Sequence, residues 1–225
     1  MRSFAGGAVE VIAMDASPTS RRQDAELEIA LNPSHPRNIL PPPLPASHQV
    51  LDIGCGAGQT LIAAYPDRIS FGLDIDAESL RLGTSRTRQV RFVQGRAEAL
   101  PYRDESFDFV VARVSLPYTN LYKSLPEIHR VLRRGGQLWA TLHPLGIPWY
   151  QAKGSNHWGK LFFLYVVANG LLLHCGLRQF SVRGRFESFQ TRTGMRRALE
   201  TSGFTEIAVG FESPQHLLAT ARREV

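Results

Sequence analysis

Val50-Leu51-Asp52-Ile53-Gly54-Cys55-Gly56-Ala57-Gly58-Gln59-Thr60 is an apolar run that meets an acid and then enters a loop with three alternating glycines. The apolar half reads as a buried strand and the residues from Gln59 onward as the start of a helix. Glycine has no Cβ and tolerates positive φ, so the chain can swing from one element to the other while its backbone presses against a ligand. Amides at the helix start then face the bound molecule. The pattern points to a nucleoside-bearing ligand. A tight turn with no ligand would leave the nearby acids Asp52 and Asp74 unexplained.

Outward from this loop the chain alternates strand and helix. Gln59 to Tyr65 reads as a short helix closed by Pro66, and Ile69 to Asp74 as a second strand. Asp76 is placed to cap the next helix. Val90 to Gln94 and Phe107 to Ala112 are further strands, the latter nearly continuously apolar, as a strand covered on both faces must be. Leu125, Ile128 and Leu132 repeat at helical spacing, with Pro126 expected in the first turn of that helix. Gly135 and Gly136 are expected to end it, and Gln137 to Leu142 to form another strand. Thr191 or Thr193 caps a helix carrying Met195 and Leu199, Gly203 stops it, and Thr205 to Phe211 and His216 to Ala221 complete the sheet. Such alternation predicts a parallel, doubly wound α/β sheet with its ligand at the carboxyl ends of the strands.

The length of 225 residues suits one α/β domain with a full core. Residues 1–46 read as an N-terminal extension and proline-rich linker, with one short helix over Ala25 to Leu31 before the stiff Pro41-Pro42-Pro43-Leu44-Pro45 run. Residues 47–225 read as the domain itself, carrying a lid-like insertion at about 146–188. The two cysteines, Cys55 and Cys175, cannot form a disulfide framework. Glycines and acids stand in the first twenty residues where a signal peptide has an apolar core, so a cytoplasmic location is expected. The apolar segment Leu161 to Leu177 is broken by Asn169 and Gly170 and is short for a membrane span. It reads as a buried or lid helix, as the wall of an apolar pocket, or as a membrane-contacting face. The net charge of +6 is uneven: Arg178, Arg183, Arg185, Arg192, Arg196 and Arg197 share their stretch with Glu187 alone, and Arg81, Arg86, Arg88 and Arg91 form a second cluster. Such surfaces attract nucleic acid, acidic metabolites or anionic membranes, although a solvated face is the ordinary outcome.

The glycine loop fits one of two ligands better. A dinucleotide fingerprint needs G-x-G-x-x-G and an acid about twenty residues later. Asp74 meets the distance, but Gln59 takes the place of the last glycine. A carboxylate at Asp52 can organise the loop amides and meet the positively charged end of a ligand, which suits the ammonium group of a methionine moiety and not a pyrophosphate.

With the motifs that follow, the chain resembles the class I S-adenosylmethionine-dependent methyltransferases, in the small-molecule branch called methyltransferase type 11. Asp52-Ile53-Gly54-Cys55-Gly56-Ala57-Gly58 looks like their first motif. Gly72-Leu73-Asp74-Ile75-Asp76, Gly95-Arg96-Ala97-Glu98-Ala99-Leu100-Pro101, Ser106-Phe107-Asp108-Phe109-Val110-Val111 and Glu127 to Gly136 follow in the family's order. The match covers roughly residues 50 to 142. The resemblance implies a Rossmann-like, doubly wound, mostly parallel seven-stranded sheet with helices on both faces, and S-adenosyl-L-methionine as cofactor. It places Asp52, Gly54, Cys55, Gly56 and Gly58 around the methionine and ribose, and Asp74 and Ile75 at the ribose. Gly95, Arg96 and Ala97 fall at the adenine.

The sequence departs from the family at two places. Arg96 stands where an acid usually accepts a hydrogen bond from the adenine amine, and arginine has no acceptor; Gly95 and Ala97 can still offer backbone groups. After the fourth strand, Arg113-Val114-Ser115-Leu116-Pro117-Tyr118 replaces a segment often rich in histidine, leaving Arg113 to meet a cofactor carboxylate, an acidic substrate or a structural partner. Methyl transfer requires orientation and desolvation before it requires a base, so no catalytic residue is assigned; His143 and Tyr118 are the candidates nearest the expected pocket. Cys55 reads as a small filler of the loop. No metal set and no nucleophile-elbow serine is present in the sequence pattern. Trp149, Tyr150, Trp158, Phe162, Phe163 and Tyr165 could line an aromatic pocket or pack the lid.

The expected function is methyl transfer to a small organic, apolar acceptor. An RNA methyltransferase, favoured by the basic clusters but lacking interleaved aromatic residues, and a non-catalytic S-adenosylmethionine-binding protein are the alternatives. An NAD-dependent oxidoreductase ranks behind them.

Overall fold

In the computed structural model, which describes residues 17–152, 156–213 and 216–225, seven strands form one sheet. They are β1 (Val50–Ile53), β2 (Ser70–Asp74), β3 (Val90–Gln94), β4 (Phe107–Arg113), β5 (Leu132–Leu142), β6 (Phe204–Ser213) and β7 (His216–Arg223). Their order across the sheet is β3-β2-β1-β4-β5-β7-β6, with β7 antiparallel to both β5 and β6 and every other pairing parallel. The helices are α1 (Pro18–Leu31), α2 (Gln59–Ala64), α3 (Ala77–Arg86), α4 (Leu121–Val131), α5 (Gly146–Ala152), α6 (His157–His174) and α7 (Arg192–Thr201). The expected α/β, Rossmann-like, mostly parallel architecture is therefore the observed one. The first sixteen residues, residues 153–155 and the side chain of Tyr150, all part of the sequence expectations, lie outside the described residues.

All of β1 is buried, and its alternate residues divide between two cores as a pleated strand requires. Leu51 and Ile53 join Leu125, Ile128 and Val131 of α4 on one face; Val50 joins Leu61, Tyr65, Phe109 and Trp139 on the other. The chain runs outward from β1 to β3 and returns to pair β4 beside β1, so the crevice between the carboxyl ends of β1 and β4 is the switch in strand order. Ligands of open α/β sheets bind at that crevice.

Three local expectations need correction. α1 is fourteen residues long and begins well before Ala25, because Ser17 caps it by accepting from the Ser20 amide at 3.1 Å and Pro18 opens its first turn. Pro126 sits in the interior of α4, on the exposed side of an otherwise strongly amphipathic helix. Packing of Leu121, Leu125 and Ile128, all fully buried, holds this helix despite the lost backbone bond. Gly135 and Gly136 do not end α4, which stops at Val131. They lie in an irregular stretch of β5, where Phe107 pairs with Leu132 and Phe109 with Gln137. Gly135 takes φ +72°, and a Cβ on Gly136 would lie 2.8 Å from the Arg133 carbonyl oxygen.

Candidate functional site

The loop between β1 and α2 is fixed from below by β2. The amides of Gly54 and Cys55 both donate to the Leu73 carbonyl, at 2.7 and 3.1 Å, and the Gly56 amide donates to Asp74 Oδ2 at 2.8 Å. Gly54 has φ +73°, and a Cβ there would lie 2.4 Å from Ser115 Cβ, so only glycine lets the loop pass under the turn after β4. Cys55 is buried and fills the space above Gly72, as expected of a small filler. Gly58 opens α2 in a left-handed conformation and packs against Phe92.

Asp74 is the organising acid. Its other oxygen, Oδ1, accepts from the Asp76 amide at 2.9 Å. Asp76 in turn caps α3, accepting from the Glu78 and Ser79 amides and from the Ser79 hydroxyl, and these bonds hold its carboxyl below the usual range. Asp52 does not organise the loop amides. It is buried, neither carboxyl oxygen has a hydrogen-bond partner, and burial pushes its pKa up to about 8 against the opposing pull of Arg113.

A cavity of about 930 Å³ opens over this loop. Gly54, Cys55, Gly56, Asp74, Ile75, Gly95, Arg96, Ala97 and Arg113 line it, whereas Asp52 and Gly58 lie outside its wall. Arg96 is half exposed with its Nε 3.6 Å from Glu98, and Glu98 Oε1 accepts from the Asn120 amide at 3.0 Å. The carboxylate on this side of the cavity is therefore Glu98, two residues beyond the arginine. Arg113 lines the cavity and also contacts Glu26 Oε2 at 3.5 Å and the Arg37 carbonyl at 3.4 Å.

Sequence reasoning missed the contribution of α1. Gln23 is buried beneath the loop, where its Nε2 donates to Ser79 Oγ at 2.8 Å and its Oε1 accepts from the Ala57 amide and from Gln59 Nε2. Glu26 and Arg37 complete that wall. Val114 was missed as well. It is a β-branched residue at φ +59°, held by bonds from its amide to the Thr141 carbonyl and hydroxyl at 3.0 and 3.1 Å. Such strain is uncommon and gathers at functional sites; here it turns Ser115 onto Gly54.

His143 and Tyr118 stand at the far end of the cavity, ring to ring at 5.8 Å. Burial and the neighbouring His216 push the His143 pKa down to about 4, so the imidazole is neutral at physiological pH. The same two residues line a smaller cavity of about 120 Å³, walled by Phe162, Phe163 and Val166 of α6. Of the aromatic residues expected around a pocket, Phe162 and Phe163 do line one. Trp149 and Trp158 face outward, and the Tyr165 hydroxyl instead bonds the Arg185 carbonyl. Among the described residues no cluster of His, Cys, Asp and Glu could hold a metal ion, and no helix is long and apolar enough to cross a membrane.

Residues 51–140 match the family model described as "Methyltransferase domain". Over this segment the chain is similar to methyltransferases. The segment contains the glycine loop, Asp74 and the Gly95 turn, and so most of the cavity floor. The chain is 34% identical over 122 residues to a demethylmenaquinone methyltransferase of Roseiflexus sp., covering 51% of this chain and 50% of that one. It is 29% identical over 184 residues to a malonyl-[acyl-carrier protein] O-methyltransferase of Methylococcus capsulatus, covering 76% and 55%. The chain thus spans about half the length of these curated relatives. A solved SAM-dependent methyltransferase of Thermotoga maritima shares the domain's fold with a TM-score of 0.58 at 19% identity, covering 90% of this chain and 89% of that one.

Proposed function

We propose that this chain transfers a methyl group from S-adenosylmethionine to a small organic acceptor with an apolar portion. The observation that carries this reading is Asp74: at the carboxyl end of β2, beside the strand β1 that borders the switch in strand order, its two oxygens are oriented by the Gly56 and Asp76 amides beneath a cavity of a size suited to a nucleoside-bearing ligand. The cofactor, when bound, supplies an electrophilic methyl group on a sulfonium. Asp74 accepts the two ribose hydroxyls, since each carboxylate oxygen keeps a lone pair beyond the one its amide uses. The loop at Gly54 and Gly56 lets the backbone close on the methionine and ribose. Gly95 and Ala97 offer main-chain groups to the adenine, and Ile75 and Arg96 border it.

Asp52 is a buried acid behind the cavity wall, one residue before Ile53, which lines it. A positive charge brought into the cavity favours its ionised form. His143, neutral and walled in beside Tyr118, offers its imidazole as a hydrogen-bond acceptor that orients a hydroxyl or amine of the methyl acceptor, its lowered pKa making it a weak base. The smaller apolar cavity beyond it suits the acceptor's hydrocarbon part. Relatives named for demethylmenaquinone and malonyl-[acyl-carrier protein] methylation support an acceptor outside the nucleic acids.

Calorimetry with S-adenosylmethionine, followed by detection of S-adenosylhomocysteine released with a panel of small acceptors, tests the proposal. Tight binding without turnover on any acceptor would favour a non-catalytic binding protein. Turnover on total RNA alone would favour the nucleic-acid alternative.

A further inference from the structure

We propose that the face built from α5, α6 and the Val182–Arg185 hairpin docks on an anionic lipid surface. α6 is apolar on nearly every side. Its inner face, Val166, Asn169, Gly170 and Leu173, is buried, and Gly170 is so tightly packed that a Cβ would lie 2.1 Å from the Phe189 ring. The opposite face of a surface helix is ordinarily polar. Here it presents Leu161, Leu164 and Leu171, with Trp158 at the helix start 77% exposed and Leu164 61%. Trp149 of α5, also exposed, extends the patch through its ring contact with Phe163 at 5.7 Å. Scattered apolar residues on a surface are normal, whereas a contiguous patch marks an interaction site.

Charge selects the occupant. From His143 to Leu199 the sequence holds eight lysines and arginines against one acid, Glu187, and the next acid, Glu200 of α7, lies 3.9 Å from Arg196, so the charge around this face is net positive. Glu187 is itself buried and bonded to Arg185. The Arg185 guanidinium lies 5.9 Å from the Phe162 ring, and Lys160 stands on α6 among the exposed leucines. Arg183 and Gly184, at φ +52° and +80°, form the two-residue turn of the hairpin and put Arg183 at its tip. Arg197 lies at the other end of the helix, donating to the His174 carbonyl at 2.9 Å. A second copy of this face would bring cations against cations. Apolar aromatic residues ringed by cations are the composition of segments that lie in a membrane interface without spanning it. This docking is independent of methyl transfer, because it concerns the outer side of α6 and is read by binding.

The test is flotation of the full chain with vesicles of phosphatidylglycerol and phosphatidylcholine, against vesicles of phosphatidylcholine alone. Binding to the anionic vesicles is expected, with loss at about 0.5 M salt where screening is short-ranged. Two of the three tryptophans, Trp149 and Trp158, lie on the face, so a blue shift of tryptophan emission should accompany binding. The double substitution Leu161→Asp and Leu164→Asp should abolish flotation while circular dichroism is unchanged, and Lys160→Glu should weaken it at least about fivefold. Recovery that is the same with and without anionic vesicles would overturn the proposal, as would full binding by a folded double variant. A dimer in sedimentation that the double substitution disperses, with no vesicle binding by the native chain, would assign the face to self-association instead.

Discussion

Asp74 Oδ2 accepts the Gly56 amide at 2.8 Å, so the acid that ends β2 holds in place the loop that follows β1. The two features that the sequence separates by eighteen residues act as one unit. Their joining also explains why the loop can be open to the cavity. The amides of Gly54, Cys55 and Gly56 are satisfied from beneath by Leu73 and Asp74, leaving the upper side of these residues for a ligand.

Asp74→Ala should therefore weaken S-adenosylmethionine binding by about 1–3 kcal/mol, the cost of losing charge-assisted hydrogen bonds. Asp74→Asn keeps the side chain's shape but turns its NH2 onto the Gly56 or the Asp76 amide, both donors, so it should lose affinity as well. Calorimetry on the two variants checks this, and unchanged affinity in Asp74→Ala removes the ribose assignment.

Asp52 gives a pH signature of unusual sign. The unfolded carboxyl ionises near its ordinary value of 3.8, whereas in the folded chain burial delays ionisation to about 8. Between these values the folded state holds the extra proton, so stability falls as pH rises, by of order 1 kcal/mol per pH unit at the steepest. Asp52→Asn, which cannot ionise, should flatten that slope. Urea unfolding of both proteins at several pH values between 5 and 8 measures it; parallel slopes would show that Asp52 ionises normally.

The floor of the site was legible in the sequence because alternating glycines and strand-terminal acids leave local marks. β1 and β3 appear at the expected residues, and Asp76 caps α3 as its position before Ala77 suggested. The walls were not legible, because they depend on tertiary contacts. Gln23 is an unremarkable polar residue on a helix with little amphipathic pattern, and only its burial under the loop reveals its part. The Ser17-Pro18 pair did carry a helix-start signal, one that would have lengthened α1. Val114 carries no signal, since its positive φ follows from the Thr141 bonds and not from its own preferences. Asp52 was expected at the loop amides, and the structure instead buries it with both oxygens unpartnered and outside the cavity wall, because sequence spacing cannot say which side of a buried strand a residue faces.

Gly54→Ala should destabilise the fold by about 1–3 kcal/mol, combining positive-φ strain with a close contact. The two terms can be separated. The contact is with Ser115 Cβ at 2.4 Å, so adding Ser115→Gly relieves it while the strain stays. The double variant should recover part of the loss in thermal or urea unfolding, a coupling that a cycle of the four proteins reads directly. Strict additivity would mean that the loop moves away from the turn after β4 when it is enlarged.

Gln23 distinguishes a wall that supports the site from one that only covers it. Its amide bonds α3 through Ser79 at 2.8 Å and meets the loop through the Ala57 amide at 3.3 Å, so it ties α1 to both sides of the cavity floor. Gln23→Ala leaves the Ala57 amide and the Gln59 side chain without that acceptor in a buried place, and should cost about 1–3 kcal/mol of stability. If α1 positions the loop for its ligand, S-adenosylmethionine affinity should fall as well, and hydrogen exchange at Gly56 and Ala57 should quicken. Gln23→Glu retains an acceptor toward the loop but brings a negative charge to a buried site, so it should keep the loop's protection better than alanine only where the carboxyl is protonated, at low pH. Exchange at the loop unchanged in Gln23→Ala would reduce α1 to a cover.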